Sequence, residues 1–263
     1  MIKRNRNMKI IHFRLFLSLS FLFSLNMNSQ CNNYSEKKIL KGNVKEVTEE
    51  GVSIDASSKI LSINTIIYTK ITQFNTKGMP TGYVFAHKND NYKFTKALFK
   101  FDKNGHKIKE LRYGLVNKIK NTLSYKYDDN GNEIESKYFI GNFKILDNYV
   151  TENYNEKCNL VEKITYFSDG QEWLHYKFIY ENNQIIKIVD VNNNSYDLYE
   201  NDNFGNSLSI KSFNKKGDLE KETKYIYEYD TIGNWTKRTS VENGKQVWIE
   251  TRKFVYYNLK INY

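Results

Sequence analysis

Tyr125-Lys-Tyr-Asp-Asp-Asn-Gly-Asn132 is one copy of a phrase that returns along most of this chain. Phe99-Lys-Phe-Asp-Lys-Asn-Gly-His106 and Tyr227-Glu-Tyr-Asp-Thr-Ile-Gly-Asn234 are further copies. The turn centres are separated by steps of 27, 26, 27, 25, 22 and 28 residues and fall at Gly78, Gly105, Gly131, Cys158, Asn183, Gly205 and Gly233. A near-constant spacing of this length indicates an array of small structural units.

Each unit has a second, shorter turn about halfway along. These turns are predicted near Gly114, Gly141, Gly170, Asn194, Gly217 and Gly244. Asn and Gly tolerate positive φ, and between alternating apolar residues they are a strong β-hairpin signal. Between the turns the period is two, since Tyr225, Tyr227 and Tyr229 alternate with polar or aliphatic residues. The unit is therefore read as strand, turn, strand, turn.

The predicted fold class is all-β. Repeated antiparallel β-hairpins are expected to form a long, curved or spiralling open meander sheet, because strand twist accumulates over many strands. Residues 96–257 are assigned to YD-like repeats, and 41–95 fit the pattern poorly and are assigned to an N-terminal cap. Val247–Tyr257 is predicted to be a closing strand covered on both faces, followed by a C-terminal tail at 258–263.

The first 30 residues are typical of a signal peptide, with a helix preceding the sheet. A basic segment leads into the eleven apolar or small residues Leu15–Leu25, a length too short for an ordinary membrane-spanning helix. Residues 31–40 are read as a tether. Two processing routes are compatible with this leader: cleavage near Ser29 or Gln30, or lipid modification of Cys31, which resembles the modified cysteine of a bacterial lipoprotein. The protein is expected to be exported, to the periplasm, the outer membrane or the exterior.

The positive charge of the chain is concentrated in this leader. The whole chain has 40 basic and 30 acidic residues, a net charge of +10, and residues 1–30 hold five basic residues and no acidic one. Removing them leaves 35 basic against 30 acidic residues, a net charge of +5. Lysines then alternate with glutamates and aromatics as on a solvated face, so nucleic acid is not expected as a partner.

No catalytic, metal or cofactor motif is present in the sequence. The two cysteines do not form a Cys-x-x-Cys pair, and a 31–158 disulfide is not expected. The histidines lack paired ligand spacing, and His106 is read as a polar residue of a turn tip. An EF-hand frame placed on Gly131 puts lysines at two ligand positions, which excludes it. The chain is therefore predicted to be no enzyme and to use no cofactor.

Aromatic residues are abundant, at 15% of the chain. They are expected to form cross-strand ladders that hold neighbouring hairpins together. The alternative is an exposed stacking face for sugars or an extended peptide, for which Trp173, Trp235, Trp248 and Tyr227 are the candidate residues. An exposed sheet edge is a further candidate, because it could accept a strand from a partner.

The phrase Tyr-x-Tyr-Asp-x-x-Gly-Asn resembles the YD repeat of RHS-type proteins, with its closest copies at 125–132 and 227–234. The segment from Gly233 to Tyr257 and the opening Leu40-Lys-Gly-Asn-Val-Lys-Glu-Val47 resemble YD-repeat proteins exported by Bacteroidetes. In large RHS proteins such repeats form a β-sheet shell around a toxic C-terminal cargo. This array is expected to be too short to enclose one, and only six residues follow Tyr257. A weaker similarity is to MORN-like hairpin repeats.

The expected function is that of a non-enzymatic, exported β-repeat protein that acts as a binding or scaffold module at the bacterial cell envelope. The alternatives are a carbohydrate-binding or carbohydrate-processing protein that uses exposed aromatic and acidic residues, and an accessory or immunity-like partner of a secreted toxin system. The expected partner is a protein or glycan of the envelope, with membrane contact only through a lipid on Cys31.

Overall fold

A computed structural model describes residues 40–54, 65–87, 96–114 and 116–257, and all of its regular elements are β-strands. The leader, the tether up to residue 39 and the tail at 258–263 lie outside these ranges. The strands are β1 Val44–Ser53, β2 Thr65–Phe74, β3 Pro80–His87, β4 Lys96–Phe101, β5 Lys107–Tyr113, β6 Ile119–Tyr127, β7 Glu133–Ile140, β8 Ile145–Tyr154, β9 Leu160–Phe167, β10 Glu172–Glu181, β11 Gln184–Asp190, β12 Ser195–Asn201, β13 Ser207–Phe213, β14 Leu219–Tyr229, β15 Trp235–Glu242 and β16 Lys245–Tyr256.

The sixteen strands form a closed antiparallel barrel in which every strand pairs with its neighbours in sequence. The ring closes because β16 pairs with β1, with Phe254 opposite Val47 and Arg252 opposite Glu49. The all-β meander order was predicted correctly, and the open sheet was wrong. Twist and coiling over this many strands bring the two outer strands together, and pairing them removes two unsatisfied edges. No helix in the described ranges is long and apolar enough to cross a membrane.

The turns lie where the repeat predicts them. All seven main turn centres, from Gly78 to Gly233, have positive φ. In the 102–106 turn, Gly105 N donates to Asp102 O at 3.2 Å and Asp102 N donates to His106 O at 2.9 Å. The Asp102 carboxylate also accepts hydrogen bonds from the backbone of Asn104 and His106 at 2.9 and 2.8 Å. Turns with these backbone bonds follow β2, β4, β6, β8, β12 and β14 at one end of the barrel, which we call the Asp-turn rim, and also β5, β9 and β13 at the other end.

The tyrosine of the repeated Tyr-Asp pair bonds to the turn of the preceding unit. The amide of Asn206 donates to the Tyr229 hydroxyl at 3.1 Å, and that hydroxyl donates to Asp202 at 3.4 Å. Tyr256 occupies the equivalent place on the next turn, where its hydroxyl donates to Asp230 at 2.9 Å. The repeated phrase therefore encodes both a hairpin and the joint between successive hairpins.

The first three strands are part of the ring. The turn between β2 and β3 has the same form as the others, because the Asn75 side chain accepts from Lys77 N and Met79 N at 2.9 and 3.0 Å. The closing strand β16 is paired on both edges, by β15 and β1. Its outward Val255 is 48% exposed, so the prediction that this strand is covered on both faces was wrong.

The two faces of the barrel wall differ in burial. On β5 and β6 the inward Glu110 and Asn121 are buried, while on β14 the outward Lys224, Ile226 and Glu228 are exposed. A small apolar cluster of Val44, Val47 and Phe74 lies near the Asp-turn rim. Most of the remaining buried side chains are polar or charged, so the inward face is held together largely by directed bonds.

Candidate functional site

A buried ion triad joins the strands at the ring closure. Arg252 donates to one Glu49 oxygen through Nε at 3.0 Å and Nη2 at 2.8 Å, and Lys70 Nζ lies 3.4 Å from the other oxygen. Burial alone would raise the pKa of Glu49, but Arg252 and Lys70 lower it to about 2. The guanidinium of Arg252 also stacks on Trp235 at 3.6 Å. We call Glu49, Lys70 and Arg252 the seam triad.

A second inward cluster surrounds Glu110 on β5. Its carboxylate accepts hydrogen bonds from Arg112 Nε at 2.6 Å, Tyr125 Oη at 3.0 Å and Tyr83 Oη at 3.2 Å. Burial opposes ionisation, yet Arg112 and Lys107 hold the pKa of Glu110 at about 2. Burial and the Glu110 charge raise the pKa of the Tyr125 hydroxyl well above its ordinary value. These shifts keep Glu110 ionised and Tyr125 protonated near neutral pH.

Glu133 on β7 differs from Glu49 and Glu110, because its pKa is raised and not lowered. Burial and the neighbouring charge of Glu152 raise its pKa to about 7. Glu152 is itself held by Lys163 Nζ at 2.6 Å and by the Tyr154 hydroxyl at 2.7 Å. Glu133 is thus the inward carboxyl whose raised pKa lies near neutral pH.

The four aromatic residues proposed from the sequence do not form one exposed surface. Trp235 is 8% exposed and lies between Arg252 and Tyr227, whose ring centroid is 6.2 Å away. The Tyr227 hydroxyl donates to Ser207 O at 3.0 Å. Trp248 stacks on the inward Tyr68 at 6.2 Å. Trp235, Trp248 and Tyr227 therefore pack against inward-facing residues. The sequence held one sign of this, because Trp248 and Arg252 are four positions apart on one strand and so lie on the same face.

Trp173 is half-buried at a β-bulge, where its ring stacks on Phe167 at 5.2 Å. His106 is a turn residue, as predicted: its Nδ1 lies 3.2 Å from Asp102 and its ring stacks on Tyr127 at 4.7 Å. The predicted free sheet edge is wrong, because each of the sixteen described strands is paired on both sides.

Cys158 occupies a turn with φ of 60° and is disulfide-bonded. The other cysteine of the chain, Cys31, lies outside the described residues, and so does the proposed lipid attachment there. The disulfide at Cys158 contradicts our expectation that the chain forms none, and the partner sulfur lies outside the described residues. Cys158 replaces the usual glycine of the turn and adopts the same left-handed conformation.

An outward row of side chains was missed by the sequence reasoning. Cross-strand pairing places its members directly side by side on six successive strands, β4 to β9. Residues that are directly paired across an antiparallel sheet lie on the same face. We call this set the lysine–tyrosine row, and its members are Lys100, Lys109, Ser124, Lys137, Tyr149 and Tyr166.

The two ends of the lysine–tyrosine row differ in chemistry. Lys100 is directly opposite Lys109, and within the described ranges neither ammonium has a carboxylate within salt-bridge distance. Lys109 Nζ lies 4.1 Å from the ring centroid of Phe143. At the other end, Tyr149 and Tyr166 stack with ring centroids 4.8 Å apart. The row therefore passes from a cationic end to an aromatic one.

The fold defines a closed, sixteen-stranded antiparallel barrel with an ion-paired inner face and an outer face that mixes charged and apolar side chains. No family model and no curated protein matches the sequence. Among solved structures, the chain is similar to a porin-like protein from Bacteroides uniformis ATCC 8492, with 11% identity, a TM-score of 0.53 and coverage of 82% of this chain and 98% of that one. This likeness bears on the fold alone.

Two further structures are more distant. A porin-like protein from Bacteroides vulgatus ATCC 8482 has 12% identity and a TM-score of 0.37 over 82% of this chain and 99% of that one. The TcdB2-TccC3 structure has 12% identity and a TM-score of 0.28 over 75% of this chain and 12% of that one. Similarity at this level supports no argument about function.

Proposed function

We propose that this chain is a non-enzymatic, exported β-barrel of the YD-repeat, RHS-like type that acts as a binding or scaffold module at the bacterial cell envelope. The observation that carries the proposal is a difference between the two faces of the barrel wall: inward charged groups are bonded to one another, and outward groups are exposed. The inward carboxylate of Glu49 is bonded to the cations Arg252 and Lys70, and those of Glu110 and Glu152 are each bonded to a cation and a tyrosine. The outward face is therefore the surface on which another molecule would bind.

The outward face favours contact with water over contact with lipid. Lys224, Glu228 and Lys253 point outward along β14 and β16 and are exposed. A lysine or arginine on the lipid face of a transmembrane barrel costs about 2–4 kcal/mol at the bilayer midplane. Bilayer-spanning barrels carry an apolar outer band, whereas the outward Ile226 and Val255 of these strands alternate with the charged residues. A pore is therefore the less favoured interpretation of the closed barrel.

The bonds of the repeated tyrosines support the YD-repeat assignment. Tyr229 and Tyr256 each contact the aspartate and asparagine of the preceding turn. This accounts physically for a motif in which a tyrosine, an aspartate and a later asparagine recur together. The resemblance is thus supported by the role of its residues as well as by their order.

Reconstitution of the purified mature chain tests the binding-module proposal against a pore. We expect the protein to remain in solution without detergent and to leave the ion conductance of planar phospholipid bilayers unchanged. Detergent-dependent solubility together with stepwise conductance would contradict the proposal.

The attachment to the envelope depends on the sulfur of Cys31. A lipid-modified cysteine holds its lipid through a thioether, so the same sulfur atom cannot also be part of a disulfide. Intact-mass measurement of the native protein, before and after reduction, separates the two: a diacylglycerol adduct on Cys31 defines a lipoprotein. A mass that rises by two hydrogens on reduction identifies an intramolecular disulfide and a protein without this anchor.

A carbohydrate-binding function is the second candidate, and the outward Tyr149–Tyr166 stack favours it. Tyrosine offers sugars both an apolar ring and a hydroxyl. A glycan array with the mature protein tests it. The absence of binding to any glycan would remove this candidate and leave a protein partner for the scaffold.

A further inference from the structure

We propose that the lysine–tyrosine row binds an acidic polysaccharide, a chain whose sugars carry carboxylate groups. The inference rests on the proposed binding function and names its ligand class. Lys100, Lys109 and Lys137 would contact the carboxylates, and Tyr149 and Tyr166 would contact the sugar rings and hydroxyls.

Among the described residues, no carboxylate lies within salt-bridge distance of Lys100 or Lys109 at the cationic end of the row. Like charges directly opposite one another in a sheet destabilise it, and Lys100 and Lys109 form such a pair. Lys137 is satisfied by Glu135 at 3.2 Å, and Glu135 is shared with Lys126 at 2.8 Å. A bound anion would replace the missing partner of the Lys100–Lys109 pair.

Lysines outnumber carboxylates on the outer surface around the cationic end of the row, on β4 to β7. Lys96 is also outward on β4, where its ammonium lies 5.9 Å from the centroid of Tyr113. The acidic residues of β5 and of the start of β7, Glu110 and Glu133, face inward instead, where they serve the interior. On β4 to β7 the outer face therefore carries more lysines than carboxylates, with Glu135 as an outward carboxylate of β7.

The dimensions of the row fit an extended chain. Six neighbouring strands span about 24 Å, since adjacent strands lie about 4.8 Å apart. That length accommodates several consecutive sugar rings. An extended polymer crossing the strands would meet the lysines first and then the tyrosine pair.

The tyrosine pair favours a glycan over a nucleic acid. The rings of Tyr149 and Tyr166 are nearly parallel, at 16°, and stack on each other. Binding of single-stranded nucleic acid uses aromatic faces that are open to bases. Here one face of each ring is already occupied by the other ring, while their hydroxyls remain available to hydrogen-bond sugar hydroxyls.

Titration of the mature protein with polygalacturonate, a carboxylated polysaccharide, tests the inference. Neutral dextran and single-stranded DNA serve as comparison ligands. We expect polygalacturonate to bind and its affinity to fall steeply between low and physiological salt, because screened charges attract less. We expect K100Q/K109Q to weaken binding by about tenfold at low salt, since two of the three cations of the row are removed.

The double variant K215Q/K216Q is the matched control. It removes two lysines from the exposed turn between β13 and β14, away from the row, and should change the affinity less than about twofold if local contacts dominate. K100Q/K109Q should also melt at the same or a higher temperature than the unchanged protein, because a repulsive pair is removed. A weakening of binding without loss of stability cannot be ascribed to misfolding.

A second variant examines the aromatic end. Y149F/Y166F keeps the stacked rings and removes both hydroxyls, and we expect it to weaken polygalacturonate binding while leaving the salt dependence unchanged. Equal binding by K100Q/K109Q, K215Q/K216Q and the unchanged protein would overturn the inference, as would stronger binding to single-stranded DNA than to polygalacturonate. Either result leaves the binding-module proposal standing, which fails separately if the protein conducts ions.

Discussion

The ring closure and an ordinary joint between repeats use the same tyrosine contact but differ in what lies beneath it. At the joint, Tyr229 bonds to the turn containing Asp202 and Asn206. At the closure, Tyr256 bonds in the same way to Asp230 and Asn234. The closure adds the buried seam triad, which links residues 203 positions apart in sequence.

The difference shows how a repeat array becomes a ring. Joints between neighbouring hairpins form between segments that are close in sequence, so the loop-closure entropy is small. The closure joins the two ends of the array and needs stronger, more specific contacts to offset a longer loop. We therefore expect changes at the seam to have larger effects than equivalent changes at a joint.

The largest effect is expected from R252M. This variant leaves Glu49 buried beside Lys70 alone and removes the stacking on Trp235. Loss of one partner of a buried ion pair costs about 3–5 kcal/mol. Urea unfolding followed by circular dichroism measures this change. The neighbouring, outward-facing K253M should change the unfolding free energy by less than about 0.5 kcal/mol, and similar values for both variants would refute a special seam.

The next largest effect is expected from acidification, which should weaken both the seam triad and the cluster around Glu110. Glu49 and Glu110 have ordinary pKa values of 4.5 that are lowered to about 2 in the folded protein. Their contribution to stability is complete above pH 4.5 and is lost as the pH falls from there toward 2. The loss is on the order of 2–3 kcal/mol for each carboxylate. Unfolding free energies measured from pH 6 to pH 2 should show this decline, and a flat profile would contradict it.

Glu133 should respond in the opposite direction. Its pKa is raised from 4.5 to about 7, so its ionisation increasingly opposes folding as the pH rises through that interval. E133Q should stabilise the protein by about 1–2 kcal/mol at pH 8 and have little effect below pH 4.5. Chemical unfolding at the two pH values measures the difference. E135Q, on the outward face, should show no such gain at pH 8, because the pKa of Glu135 is lowered.

The turns should give the smallest effects. D202A removes the acceptor for the backbone of Phe204 and Asn206, which should cost about 1 kcal/mol. D202N keeps those backbone bonds, as Asn75 does in its own turn, and loses only the contacts with Asn206 and Tyr229. It should cost about half as much. Thermal melts of the two variants separate the backbone bonds of the turn from the contacts with Asn206 and Tyr229. Equal melting temperatures would show that the side-chain oxygen that accepts the backbone bonds does not stabilise the turn.

The repeat could be predicted because its information is local. Positive φ at Gly131 and Gly205, and the strand alternation around Tyr225, follow from residues a few positions apart. The closure could not be predicted, because the pairing of Arg252 with Glu49 joins segments that share no local pattern. An array of twisted strands is compatible with an open sheet or a ring, and contacts distant in sequence decide between them.

The candidate site was missed for a related reason. Lys100, Lys109 and Lys137 are separated in sequence by glutamates and aspartates, and the chain therefore reads as evenly charged. The strand register alone brings the three lysines side by side and sends Glu110 to the other face. Trp235 was misplaced because aromatic character does not reveal which face a residue occupies, and its burial against Arg252 depends on the ring closure.

Because the first and last strands pair, the order of strands around the barrel does not depend on which strand comes first in the chain. Tyr257 N donates to Asn43 O at 2.8 Å, so the two ends of the described barrel lie side by side at one rim. A short linker between them, with a new opening in the exposed turn at Lys215 and Lys216, would preserve every strand pair. The barrel is thus suited to circular permutation, in which the same wall is built from a different starting strand.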